Sequence, residues 1–142
     1  MRGIEKLVVG EVNLQAIGAL RPLLGAIRRR DRALSEQLVR AMTNVALCIA
    51  RAEFPVEGTR RGHLFLALAS ACEAQAVLQI AIDSGYGMER RAKRARALLD
   101  EARNMLLVAL RSSTLTVRRA SRLAGRRARV VARAPSRDTK RS

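Results

Sequence analysis

The sequence predicts an all-α protein: an antiparallel, up-down-up-down four-helix bundle with a basic C-terminal extension. Three observations carry that prediction. Across residues 34–52 the apolar side chains Leu34, Leu38, Met42, Val45 and Ile49 recur every three or four positions, with Ala41, Ala46 and Cys48 widening the stripe. A helix apolar over so broad an arc needs more than one neighbour. No segment alternates with period two for long enough to form a strand. Three short breaks divide the helical stretches, and short connections place successive helices antiparallel.

The first helix begins at about Glu5 or Glu11 and runs to Arg29, with Leu7, Leu14, Ile17, Leu20, Leu24 and Ile27 as its inner seam. Pro22 lies inside it. Proline removes one backbone donor and crowds the preceding turn, so we read a continuous helix kinked around residues 18–23, in preference to a restart with Pro22 in the first turn. Arg28, Arg29 and Arg30 suit the negative end of that helix's dipole. Asp31 then caps the second helix. Pro55 ends it near Ala52 or Phe54, because the residue before a proline disfavours helical backbone.

The third helix runs from His63 or slightly earlier to Ser84. Leu64, Leu68, Ala71, Cys72, Gln75, Leu78 and Ile82 face inward, and Phe65 and Ile80 widen that side. Gly85-Tyr86-Gly87 stops it, with Tyr86 packing back on the bundle. The fourth helix spans Met88 to Arg111, with Leu98, Leu99, Ala102, Met105, Leu106, Ala109 and Leu110 inward. Residues 1–111 thus form the bundle. Residues 112–142 are an Arg-rich tail, amphipathic or disordered, and loose beyond Pro135.

Only three residues are aromatic, Phe54, Phe65 and Tyr86, so aliphatic side chains must build the core. Cys48 and Cys72 lie in apolar helical stretches and read as buried thiols of a reducing compartment. The first residues have too short an apolar core for a secretory signal, and no apolar run approaches a membrane span. These features together predict a cytoplasmic protein.

Charge is the strongest functional signal. The net charge is +16, and residues 111–142 hold eleven Lys or Arg against a single acid, Asp138. On a helix Arg118, Arg119, Arg122, Arg126, Arg129 and Arg133 share one face, opposite Val117, Ala120, Leu123, Ala124, Val130 and Val131. Arg90, Arg91, Lys93, Arg94 and Arg96 crowd the start of the fourth helix, where the dipole prefers anions and Glu89 alone offsets them. Bound phosphate would relieve that conflict. Arg60 and Arg61 open the third helix in the same way, at the other end of an up-down bundle. The expected partner is a polyanion, RNA ahead of DNA. Scarce aromatics argue against base stacking and for recognition of structured nucleic acid by shape and charge. A membrane ranks lower, because the tail's apolar face is mostly Ala and Val without Trp or Phe. The alternative is an interaction scaffold whose tail docks on an acidic protein or a neighbouring subunit.

No catalytic constellation competes with this reading. His63 is the only histidine and has no ligand-type residue at metal-binding spacing, so it reads as a surface or capping residue. No phosphate-binding glycine loop or nucleophile-plus-base pattern occurs. Glu73 is expected to pair with Arg40 or Arg103 across the bundle, and Ser70 and Asn44 to be bonded in or near the core. The expectation is a non-enzymatic protein without cofactor or metal.

Gln37, Arg40 and Ala41 in the second helix, Ser70 and Glu73 in the third, then Ala81 and Gly85-Tyr86 stand in an order and spacing that resemble a known family. It comprises the four-helix-bundle proteins related to those encoded in intervening sequences of bacterial 23S ribosomal RNA genes. The accessory variability determinant of diversity-generating retroelements is similar at greater distance. The likeness covers roughly residues 11–111. Where the family usually shows Asn-Ile-Ala-Glu-Gly, this chain has Cys48-Ile49-Ala50-Arg51-Ala52, so a role resting on that acid is not carried over. The resemblance implies an antiparallel bundle, a homo-oligomer that is a pentamer in studied relatives, and no enzyme activity. Its retroelement branch implies an accessory that binds RNA and a reverse transcriptase.

Overall fold

The computed structural model describes residues 4–132, with side chains described for residues 8–112, 118–126 and 129. Arg133 and the segment from Pro135 onward, both read above as part of the tail, lie outside the described residues. Four helices follow in order: α1 (Ile4–Arg30), α2 (Arg32–Glu53), α3 (Arg60–Asp83) and α4 (Glu89–Ala132). No strand occurs among the described residues, and the fold is all-α. The chain divides into two compact units, Met1–Leu110 and Arg111–Ser142.

Within the first unit, two apolar clusters fix the antiparallel order. One gathers Leu23 and Ile27 from the end of α1, Leu38 from the start of α2, Leu78 and Ile82 from the end of α3, and Ala92 from the start of α4. The other joins Val9, early in α1, to Ile49, late in α2, with Leu64 at the start of α3 and Leu106 and Leu110 farther along α4. Helix beginnings and ends alternate in each cluster, as an up-down-up-down bundle requires. Small residues allow the close approach: Ala67, Ala71, Ala74 and Ala81 of α3 are all fully buried.

Local chemistry sets the turns. Asp31 alone separates α1 from α2, and its carboxylate accepts a hydrogen bond from the Leu34 amide at 2.9 Å. Such a cap is worth about 1 kcal/mol. Thr59 caps α3 through Gly62 N–H at 2.9 Å. Gly85 follows α3 with φ of +72°, left-handed backbone that a β-carbon would strain, and its N–H closes on the Ile82 carbonyl at 3.0 Å. Met88, fully buried, then anchors the chain before α4.

Several sequence expectations need correction. α1 is continuous through Pro22, but its inner seam is Val9, Val12, Asn13, Ala16, Leu20, Leu23 and Ile27. Leu14 is 60% exposed, while Ile17 and Leu24 are only partly buried. Apolar residues form two nearly parallel seams on this helix, and period alone does not choose between them. On α3, Cys72, Phe65 and Ile80 are exposed rather than inward. That helix is apolar around most of its circumference, so the pattern hid which arc meets the bundle. For the same reason α3 is long and apolar enough to cross a membrane by length and composition, contrary to the sequence expectation. Eight of its residues are nonetheless in the bundle core. Finally, α4 does not stop at Arg111 but is helical to Ala132. Ser112, Ser113 and Thr114 change the composition without supplying the Gly or Pro that ends a helix.

Candidate polyanion interface

Every described arginine of the tail face is exposed: Arg118, Arg119, Arg122, Arg126 and Arg129. They lie on helical backbone, and at 100° per residue they fall within about 100° of arc and about 17 Å of helix length. Leu123, about 40° beyond Arg119 at the flank of this arc, is exposed too. No acidic residue occurs from Ala102 to Ser136, so this array has no internal counter-charge. Guanidinium groups carry the charge and the planar donor fork that suit phosphate oxygens.

In the bundle, Arg90, Arg91, Lys93 and Arg94 are exposed while Ala92 and Ala95 between them are fully buried. The alternation turns all four cations outward from a fixed helix start. Arg91 donates to the Pro22 carbonyl of α1 at 3.3 Å, which ties the beginning of α4 to α1. Arg28, Arg29, Arg30 and Arg32, at the junction of α1 and α2, are exposed as well. Arg32 bonds Glu36 at 2.8 Å. That hydrogen bond and the Arg32 charge, with Arg28 and Arg40 beyond, hold the Glu36 carboxyl below the usual carboxylate range.

Arg60 and Arg61 behave differently. Arg61 donates to the Leu110 carbonyl at 2.9 Å, so its guanidinium helps bind the start of α3 to α4. Arg60 is partly buried and lines a cavity of about 10 Å³ with Val9, Glu53 and Leu106. Arg61 is thereby structural, whereas the buried Arg60 Nε has no partner among the described residues.

The remaining polar candidates are also structural. His63 Nε2 donates to the Glu57 carbonyl at 2.6 Å, clasping the connection between α2 and α3. Glu73 meets neither Arg40 nor Arg103 directly. Gln37 donates to Glu73, and Arg40 donates to the Gln37 side-chain oxygen at 2.8 Å. Gln37 thus relays the cation to the carboxylate and sets the register of α2 against α3. Gln75 similarly bonds Asp100 between α3 and α4. Asn44 is exposed and Ser70 only partly buried; among the described residues the buried polar ones are Ser35 and Asn13. Ser35 donates to the Leu24 carbonyl at 3.3 Å, whereas the Asn13 amide has no partner among the described residues. No three His, Cys, Asp or Glu side chains gather to hold a metal among the described residues.

No protein-family model matches the chain, and no curated protein matches it significantly. Among solved structures, it is similar to a protein of unknown function from the S23 ribosomal protein family of Bacteroides thetaiotaomicron. The TM-score is 0.65 at 19% identity, over 76% of this chain and 99% of the other. At that identity the likeness is one of fold: the chain shares its helical-bundle fold with a member of the S23 ribosomal protein family.

Proposed function

We propose that the protein is a non-enzymatic, homo-oligomeric bundle that binds structured RNA as an accessory factor. The observation that carries the reading is the row of five exposed arginines from 118 to 129, without an acid beside it. Local stability does not call for such a row, since like charges on one helical face repel. A polyanion neutralises it. The resemblance to the intervening-sequence proteins and, at greater distance, to the retroelement accessory proteins adds a ribonucleoprotein setting. In the second branch the protein partner is a reverse transcriptase.

Self-association is supported by the outer side of α3. Phe65, Ala69, Cys72, Ala76 and Ile80 are all exposed and fall within about 80° of arc, a stripe about 22 Å long. Contiguous exposed apolar surface of this kind marks an interaction face. A second copy of the chain is the occupant we assign, with the pentamer of the resembling family as the expected assembly.

The test is fluorescence anisotropy of full-length protein with a structured RNA at rising salt, alongside the absorbance ratio at 260 and 280 nm of the purified protein. Salt-sensitive binding supports the reading. Absent or salt-independent binding removes it, and preferential binding of an acidic polypeptide points to the interaction-scaffold alternative.

A further inference from the structure

Two helix junctions that are far apart in sequence meet at one end of the bundle. Leu23 and Ile27, at the end of α1, share an apolar cluster with Met88, Ala92 and Ala95 around the start of α4. Arg91 closes the gap by donating to the Pro22 carbonyl. Residues 28–32 and 90–94 therefore belong to the same pole. Together they carry eight cations. Asp31 and Glu89 stand within or beside these segments, and the Asp31 carboxylate is engaged by the Leu34 amide.

We infer that this pole is a second contact site for RNA phosphates, in addition to the arginine row of residues 118–129. The inference rests on the RNA-binding reading above and deepens it. The sign of the pole is set by side chains. Helix starts (α2, α4) and helix ends (α1, α3) alternate there, so the four backbone dipoles largely cancel. Glu36, bonded to Arg32 at 2.8 Å, offsets one of the eight cations and leaves the pole with an excess of positive charge. The cations are also pre-positioned. A single residue joins α1 to α2, and buried Met88 and Ala92 hold the beginning of α4. Little backbone ordering entropy is then lost on binding, and the cost that remains is that of the exposed Arg and Lys side chains.

The chemistry of the pole favours a phosphodiester backbone over an acidic protein. None of the exposed large apolar residues falls within 21–36 or 83–97, whereas Phe54 and Val56 are exposed at the opposite junction. A protein partner needs apolar anchors at the centre of its contact, and the pole offers none. Tyr86, its one aromatic residue, is packed against the core rather than free to stack on a base. Charge without stacking fits helical RNA.

The test uses the full chain and a fluorescent RNA hairpin with a stem of about 20 base pairs, titrated between about 50 and 200 mM salt. In the pole variant Arg28, Arg29, Arg90, Lys93 and Arg94 are changed to Gln. In the tail variant Arg118, Arg119, Arg122, Arg126 and Arg129 are. The pole variant should lose about tenfold or more in affinity, and its log–log salt slope should flatten by about 2 or more, at roughly 0.7–0.9 per phosphate released. The tail variant should retain salt-sensitive binding that the added pole substitutions remove. Wild-type affinity and slope in the pole variant, with binding lost in the tail variant, would overturn the pole while leaving RNA binding intact. Failure of the wild-type chain to bind RNA would instead remove the function on which the pole rests. Competition by polyglutamate, charge for charge, for the binding that remains in the tail variant would overturn the RNA assignment of the pole in favour of an acidic protein. A second readout needs no substitution: Lys93 is the only lysine in these two segments. Bound RNA should protect its amine from acetylation, and undiminished modification of Lys93 in the complex would refute the contact.

Discussion

Asn13 offers a prediction whose size follows from its surroundings. The residue is 1% exposed, lies on the inner seam of α1 between Val9, Val12 and Ala16, and neither Oδ1 nor Nδ2 has a partner among the described residues. A buried, unbonded amide costs about 1–3 kcal/mol. Leucine has the same branching and the same number of side-chain heavy atoms, so Asn13→Leu exchanges the amide for two bulkier methyl groups, and fitting them offsets part of the gain. It also gains a few tenths of a kcal/mol, roughly 0.5, in helix propensity. The expected net effect is about 2 kcal/mol of added stability, read as a rise in thermal midpoint of about 6–10 °C for a chain of this size. Circular dichroism melts and urea titrations at one fixed protein concentration measure it, since association would shift the midpoint. A loss of about 1 kcal/mol or more in N13L would show that the amide is well bonded, and the reasoning would fail.

Three further outcomes follow from the packing. Ala74→Leu pushes a branched side chain into a fully buried position on α3 and should cost about 1–3 kcal/mol in urea denaturation. Asp31→Ala removes the acceptor for the Leu34 amide and should cost about 1 kcal/mol in the same assay, with Asp31→Ser recovering most of it. Phe65→Glu combined with Ile80→Glu places charges on the exposed α3 stripe and should shift the protein to a monomer in light scattering, with helicity kept. An unchanged mass would mean that this face is not the subunit contact.

Much of the bundle was legible in the sequence because its signals are local. Asp31 and Gly85 act on the nearest turn of backbone, and the stripe from Leu38 to Ile49 faces a core on several sides. What escaped depended on contacts between distant segments. The seam of α1 differs from its neighbouring seam by one residue, and only packing against α2 and α4 selects Ala16 over Leu14. On α3, alanines take the close-packed arc while Phe65 and Ile80 point away, the reverse of what size alone suggests.

The candidate site shows the same division. The arginine row of the tail is readable from spacing, because one helix carries it. Arg28, Arg29 and Arg30 read as complements to the dipole of α1, yet the up-down order itself puts the end of α1 beside the start of α4. That topological step was the available signal for joining them to Arg90 and Arg94, and the contact of Arg91 with Pro22 makes it explicit. The Gln37 relay was hidden for another reason. An uncharged amide between Arg40 and Glu73 gives no charge pattern to follow.

The central claim, that the exposed arginines exist to hold RNA, is tested most directly by the salt dependence of wild-type binding to a structured RNA. With five phosphates engaged by the tail row alone, the log–log slope should be about −3.5 to −4.5, so affinity should fall about 100- to 500-fold between 50 and 200 mM salt. A flat slope, or no binding at the lowest salt, would contradict the account.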